Sequence, residues 1–116
     1  MNYMTIPGVK RMQSDFKTMS KSQVLSNVDV ILGTVCDQFN ITIKEIKGPS
    51  RKNRIVIPRM LTMHLLREKT LLTLAEVGEV FNRHHTTAIS AITASRNLLE
   101  TDQDVNDQYQ KILMRL

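Results

Sequence analysis

The chain has 116 residues, with 16 Lys and Arg against 11 Asp and Glu, for a formal net charge of +5. That length fits one domain with a modest core, and the basic balance favours a polyanionic partner over an acidic one. A single cysteine, Cys36, excludes an intrachain disulfide and a cysteine zinc cluster, while no run is apolar enough to span a membrane and no secretory leader is visible, so a cytoplasmic protein is expected.

Tryptophan is absent, the aromatics are few, and β-branched alternation is nearly missing, so the expected class is all-α. Residues 1–21 read as an N-terminal arm containing Pro7-Gly8, with one helical turn near Met12 to Met19: either a basic arm that contacts DNA through Lys10, Arg11 and Lys17 or, as is more common, a flexible terminus or a strap over the core. Residues 22–116 read as the folded domain. From Ser22 to Phe39, the residues Val24, Val28, Ile31, Leu32, Val35 and Phe39 form one helical stripe, with Cys36 beside it as a small core residue. Asn40-Ile41-Thr42 breaks that helix. Thr42 and Glu45 have capping-box spacing for a helix of one or two turns, which Gly48-Pro49-Ser50 ends.

Arg51-Lys52-Asn53-Arg54 is the densest basic run, and Lys44 to Lys69 holds eight Lys or Arg against Glu45 and Glu68. A charge run is usually a solvated face. Here it follows Gly-Pro and precedes a helix, so a loop can project it into a groove or along phosphates. Pro58 suits the first turn of the next helix, where its missing N–H is not needed. Ile57, Leu61 and Leu65 recur every four residues, with Arg59, Met63 and Arg67 on a neighbouring edge. Arg67 is a candidate phosphate contact, although with Glu68 it also reads as a surface ion pair.

Thr73 and Glu76 form a second capping box, followed by Leu74, Val77, Val80 and Phe81 at helical spacing. Gly78 falls where two helices of a helix-turn-helix approach closely. Asn82-Arg83-His84-His85 is polar and turn-prone. The next helix carries Thr86, Thr87, Ser90, Thr93 and Ser95, with Ala88, Ile89, Ile92 and Leu99 expected on its other face. A first turn of His85, Thr86 and Thr87 offers donors, acceptors and methyl groups to base edges in a major groove. After an acidic stretch from Glu100 to Asp107, Thr101 and Asp104 are placed to start a last helix with Val105, Tyr109, Ile112, Leu113 and Leu116.

The run Arg59, Met63, Leu65, Arg67, Glu68, Thr70, continuing through Leu74, Val77-Gly78, Phe81, Arg83 and His85-Thr86-Thr87, resembles the C-terminal duplex-binding domain of the bacterial chromosomal replication initiator DnaA. The similarity extends over about Ser26 to Leu116 and is most specific between Pro58 and Ile89. It implies a helical bundle with a helix-turn-helix related to the Trp repressor, here as a stand-alone protein. It also implies a basic loop in a minor groove and a recognition helix reading DnaA boxes in the major groove, with a phosphate held by the basic residue before the glutamate. By motif, these roles fall to Arg54 or its neighbours, to His85-Thr86-Thr87, and to Arg67. The full candidate set is Arg51, Lys52, Arg54, Arg59, Arg67, Arg83, His84, His85, Thr86, Thr87 and Ser90. The family usually reads Gly-Gly-Arg-Asp-His-Thr-Thr after the phenylalanine. This chain has a turn one residue shorter, and His84 stands in place of the aspartate.

The implied function is sequence-specific binding of double-stranded DNA at DnaA-box-like sites. The implied role is regulatory or accessory in replication or transcription, near the nucleoid of a bacterial or phage-infected cell, with proteins of those processes as further partners. No phosphate-cradling G-x-x-x-x-G-K-[ST] motif occurs, so neither nucleotide nor any other cofactor is expected. The competing reading is a protein–protein interaction module on the same bundle that has lost specific DNA binding. An enzyme is the least supported class: His64 with Glu68 and the pair His84-His85 lack the carboxylates or cysteines that would complete a metal set.

Overall fold

In a computed structural model, which describes residues 21–116, the chain folds into helices throughout. The order is α1 (Lys21–Phe39), α2 (Ile43–Lys47), α3 (Asn53–Lys69), α4 (Leu74–Val80), α5 (His85–Thr101) and α6 (Gln103–Arg115). Apart from Lys21, which opens α1, the N-terminal arm lies outside the described residues.

The core is built around α3, which packs against α1, α2, α4 and α5. Every residue from Leu61 to Leu66 is buried, so this helix has no solvent face along its middle. Its start differs from the sequence expectation. The helix begins at Asn53, and Pro58 is buried in its sixth position, where the ring removes the N–H that the Arg54 carbonyl would otherwise receive. Toward its other end, His64 ties three helices together. Its Nδ1 lies 3.1 Å from Ser95 Oγ on α5, and its ring stacks on Tyr109 of α6 at 5.7 Å.

Around α3, Val28, Ile31, Leu32, Val35 and Cys36 pack inward from α1, and Val105, Tyr109 and Ile112 from α6. Burial, and then the nearby Glu45 charge, pushes the Cys36 thiol up, which fits a core residue rather than a nucleophile. The last helix starts slightly later than expected. Asp102, rather than Thr101, caps α6 by accepting from the Val105 N–H.

Two helix ends use the same device. After α1, Asn40 takes φ 55°, the Asn40 N–H bonds the Asp37 carbonyl, and the Ile41 N–H bonds the Cys36 carbonyl. After α4, Asn82 takes φ 55°, its N–H bonds the Glu79 carbonyl, and the Arg83 N–H bonds the Gly78 carbonyl. Each pair is a Schellman closure with asparagine in the left-handed position. The second closure is the turn of the helix-turn-helix. It explains Gly78: a Cβ there would sit 2.6 Å from the Arg83 carbonyl oxygen and 3.1 Å from that of His84. The close approach is therefore to turn backbone rather than to the side of a second helix.

Gly78→Ala should lower stability by about 1–3 kcal/mol, because the backbone atoms it meets cannot swing away. Asn82→Gly should stay within about 0.5 kcal/mol of the parent, while Asn82→Ala should lose about 1 kcal/mol. Thermal unfolding of the three variants checks both expectations, and a tolerated alanine at Gly78 would contradict the turn geometry.

Candidate nucleic-acid interface

The helix-turn-helix comprises α4, the four-residue turn and α5. Thr73 caps α4 through the expected box: its Oγ1 accepts from the Glu76 N–H, and the Glu76 carboxylate accepts from the Thr73 N–H. His84 caps α5, with Nδ1 accepting from the Thr86 N–H at 3.4 Å and lying 3.0 Å from Thr86 Oγ1. A ring that accepts at Nδ1 carries its proton on Nε2, so its outer edge is a donor. An aspartate cap at that position would present acceptors instead. His85, Thr86, Thr87 and Ser90 are all exposed along the first turns of α5.

The basic run divides between loop and helix. Arg51 lies in the loop and Lys52 is the N-cap of α3, whereas Asn53 and Arg54 belong to the first helical turn. The Ser50 hydroxyl accepts from the Lys52 N–H and orders the loop tip. Arg51, Lys52 and Arg54 are exposed, but Arg54 is paired with Glu45 at 2.5 Å. Glu45 also closes the Thr42 capping box on α2. The backbone bond from Thr42, followed by Arg54, holds the Glu45 carboxyl below its ordinary range.

Arg59 and Arg83, both in the expected set of duplex contacts, use guanidinium donors inside the protein. Arg59 is only 7 % exposed and turns inward from α3. Its Nε donates to the Ile46 carbonyl, Nη1 to Ser50 and Nη2 to Gly48, at 2.8, 2.9 and 2.9 Å. Arg83 donates from Nη1 to the Phe81 carbonyl and from Nη2 to the same Gly48 carbonyl, at 2.8 and 2.6 Å. The physical reason is plain: the irregular 48–50 backbone has carbonyls with no helical partner, and a guanidinium fork reaches several of them at once. Desolvation, and then the Arg83 charge, lowers the Arg59 pKa. These two arginines fasten the basic loop to the turn that launches α5.

Arg67 is exposed at the end of α3, where Nη1 donates to the Leu72 carbonyl at 2.7 Å. Ile89, expected on the apolar face of α5 with Ala88 and Ile92, is 44 % exposed, whereas those two are buried. Together with Arg67, Leu74, Ile92, Thr93 and Arg96, it lines a groove beside the recognition helix. Sequence reasoning missed Arg96. The available signal was its place seven residues beyond Ile89, close to two helical turns along α5. The rings of His84 and His85 are 4.3 Å apart and tilted. Among the described residues, no three His, Cys, Asp or Glu side chains converge as a metal site, and no helix is long and apolar enough to cross a membrane.

Arg59→Met should destabilise the fold by on the order of 3 kcal/mol, since it strips donors from three carbonyls. Arg59→Lys should recover only part, because one ammonium cannot reproduce the fork. Denaturant unfolding measures both, and a fully stable Arg59→Lys would show that charge alone suffices.

Residues 28–94, more than half of the chain, match the family model described as the bacterial DnaA protein helix-turn-helix. Curated relatives include the chromosomal replication initiator protein DnaA of Thermus thermophilus, 41% identical over 76 residues, covering 65% of this chain and 17% of that protein. The same-named protein of Thermomicrobium roseum is 33% identical over 89 residues, covering 76% and 19%. That of Crocosphaera subtropica is 30% identical over 95 residues, covering 81% and 21%. The chain thus spans about a fifth of the length of these relatives. With the fold, the turn and the capped α5 in place, the chain belongs to the bacterial DnaA helix-turn-helix family.

Proposed function

We propose that this chain binds double-stranded DNA with sequence specificity, at sites resembling the DnaA box, and acts as a regulator or accessory in replication or transcription. One observation carries the reading. The capped, exposed first turn of α5 is hydrogen-bonded, through Arg83 and the Gly48 carbonyl, to a loop bearing exposed Arg51 and Lys52. A recognition helix and a cationic loop held in fixed relation suit two neighbouring grooves of one duplex.

In this reading α5 supplies specificity and the loop supplies most of the electrostatic affinity. Thr86 offers its methyl group to a thymine methyl, while His85 and Ser90 offer hydrogen bonds to base edges. The outward Nε2–H of His84 favours an acceptor edge such as guanine O6 or N7. An aspartate there would favour the N4 amino group of cytosine. The preferred site therefore differs from a standard DnaA box at the base pair facing His84. Arg51 and Lys52 act at the phosphates or the minor groove, and Arg54 joins them on leaving Glu45. Arg67 holds a phosphate with its remaining donors. No step requires a nucleotide or another cofactor.

Binding measured by fluorescence anisotropy on a selected duplex and on random duplex tests the division of labour. His85→Ala or Thr86→Ala should lower the specific-to-random ratio about ten-fold, since each good base contact contributes roughly 1–3 kcal/mol of discrimination. Alanine at Arg51, Lys52 and Arg54 together should weaken both duplexes and flatten the salt dependence by about 0.9 per lost phosphate contact. Unchanged ratios in the first pair, with the fold intact, would favour the competing interaction-module reading.

A further inference from the structure

The groove beside the recognition helix is lined by the aliphatic side chains of Leu74, Ile89 and Ile92, by Thr93, and by Arg67 and Arg96. Its volume is about 190 Å³. Ile92 is buried and Leu74 half-buried, so the groove's exposed apolar surface comes from Ile89 together with Leu74. The two guanidiniums come from different helices, α3 and α5. The Arg67 guanidinium is anchored by the Leu72 carbonyl. Arg96 is exposed and makes no hydrogen bond or ion pair among the described residues. Among the described residues, no carboxylate lines the groove.

We infer that this groove seats the sugar–phosphate backbone of the duplex strand running past α5, with a deoxyribose on Ile89 and flanking phosphates on Arg67 and Arg96. This rests on the duplex-binding reading above and adds two contacts to it. The chemistry is complementary in both halves. A phosphodiester strand alternates anionic oxygens with apolar C–H faces, and the groove's lining combines two guanidiniums with aliphatic side chains. A groove of this size accommodates one sugar, not the row of anchors that an amphipathic helix would insert. Without a carboxylate partner, Arg96 gains an anion at no loss of an existing ion pair. Because backbone is the same on every sequence, Arg96 and Ile89 contribute affinity without specificity.

Titrations of the full chain against selected and random duplexes, over a range of salt, test this. Arg96→Ala is expected to weaken binding three- to ten-fold on both duplexes and to reduce the salt slope by about 0.9. Arg96→Lys should retain the slope. Ile89→Ala should weaken both duplexes without changing the slope. Thermal unfolding of the Arg96 variants should match the parent, since that side chain has no partner to lose among the described residues. On duplexes carrying a single neutral methylphosphonate, scanned along the strand, one position should abolish the Arg96→Ala effect. If the parent binds duplex while Arg96→Ala matches it in affinity and slope, the groove does not hold the backbone and the wider reading stands. A loss confined to the selected duplex, in either variant, would make this a base-reading site and overturn the inference. If the parent binds no duplex, the wider reading fails and this inference falls with it.

Discussion

One carbonyl oxygen, that of Gly48, accepts from two arginines that come from different parts of the chain. Arg59 reaches it from the buried side of α3, and Arg83 from the turn before α5. The consequence is mechanical. The loop that carries Arg51 and Lys52 cannot drift independently of the recognition helix without breaking charge-assisted bonds. The consequence is also electrostatic. Two like charges converge on one acceptor, and burial together with that repulsion lowers the proton affinity of Arg59. Carbonyl dipoles offset part of this, and a nearby phosphate would offset more.

The turn imposes a second constraint. Between Phe81 and the α5 cap only Asn82 and Arg83 intervene, and the closure needs a left-handed Asn82 above a bare Gly78. In this short turn His84 caps the helix with a ring nitrogen, and its opposite edge remains a donor. Local folding and base preference are coupled at that residue, since the group that starts the helix also faces the duplex in the proposed complex.

Much of this was legible in the sequence because capping is local. Thr42 with Glu45 and Thr73 with Glu76 form the boxes their spacing implies. The polar opening of α5 is where the motif put it. Long-range polar contacts were not legible. Arg59 sits on the edge that helical spacing assigns, yet nothing in that spacing shows a fork reaching carbonyls 9 to 13 residues back. The start of α3 was misjudged because proline is most favoured at a first turn, whereas here tertiary burial tolerates it five residues further in. Ile89 shares the apolar face that helical spacing assigns, but Ala88, Ala91, Ile92 and Ser95 already fill the inward side of α5. The extra aliphatic residue is left at the surface, beside two arginines.

The central claim is that loop and recognition helix form one surface of fixed geometry. Selection of bound duplexes from a random pool, using the full chain, measures this most directly. The account predicts one enriched sequence block for α5 and a second, A·T-rich preference at a single constant spacing from it. Enrichment of the block with the second preference at variable spacing would contradict a fixed loop, whereas its absence would place the loop on phosphates alone. Recovery of unenriched duplex would contradict the duplex reader itself.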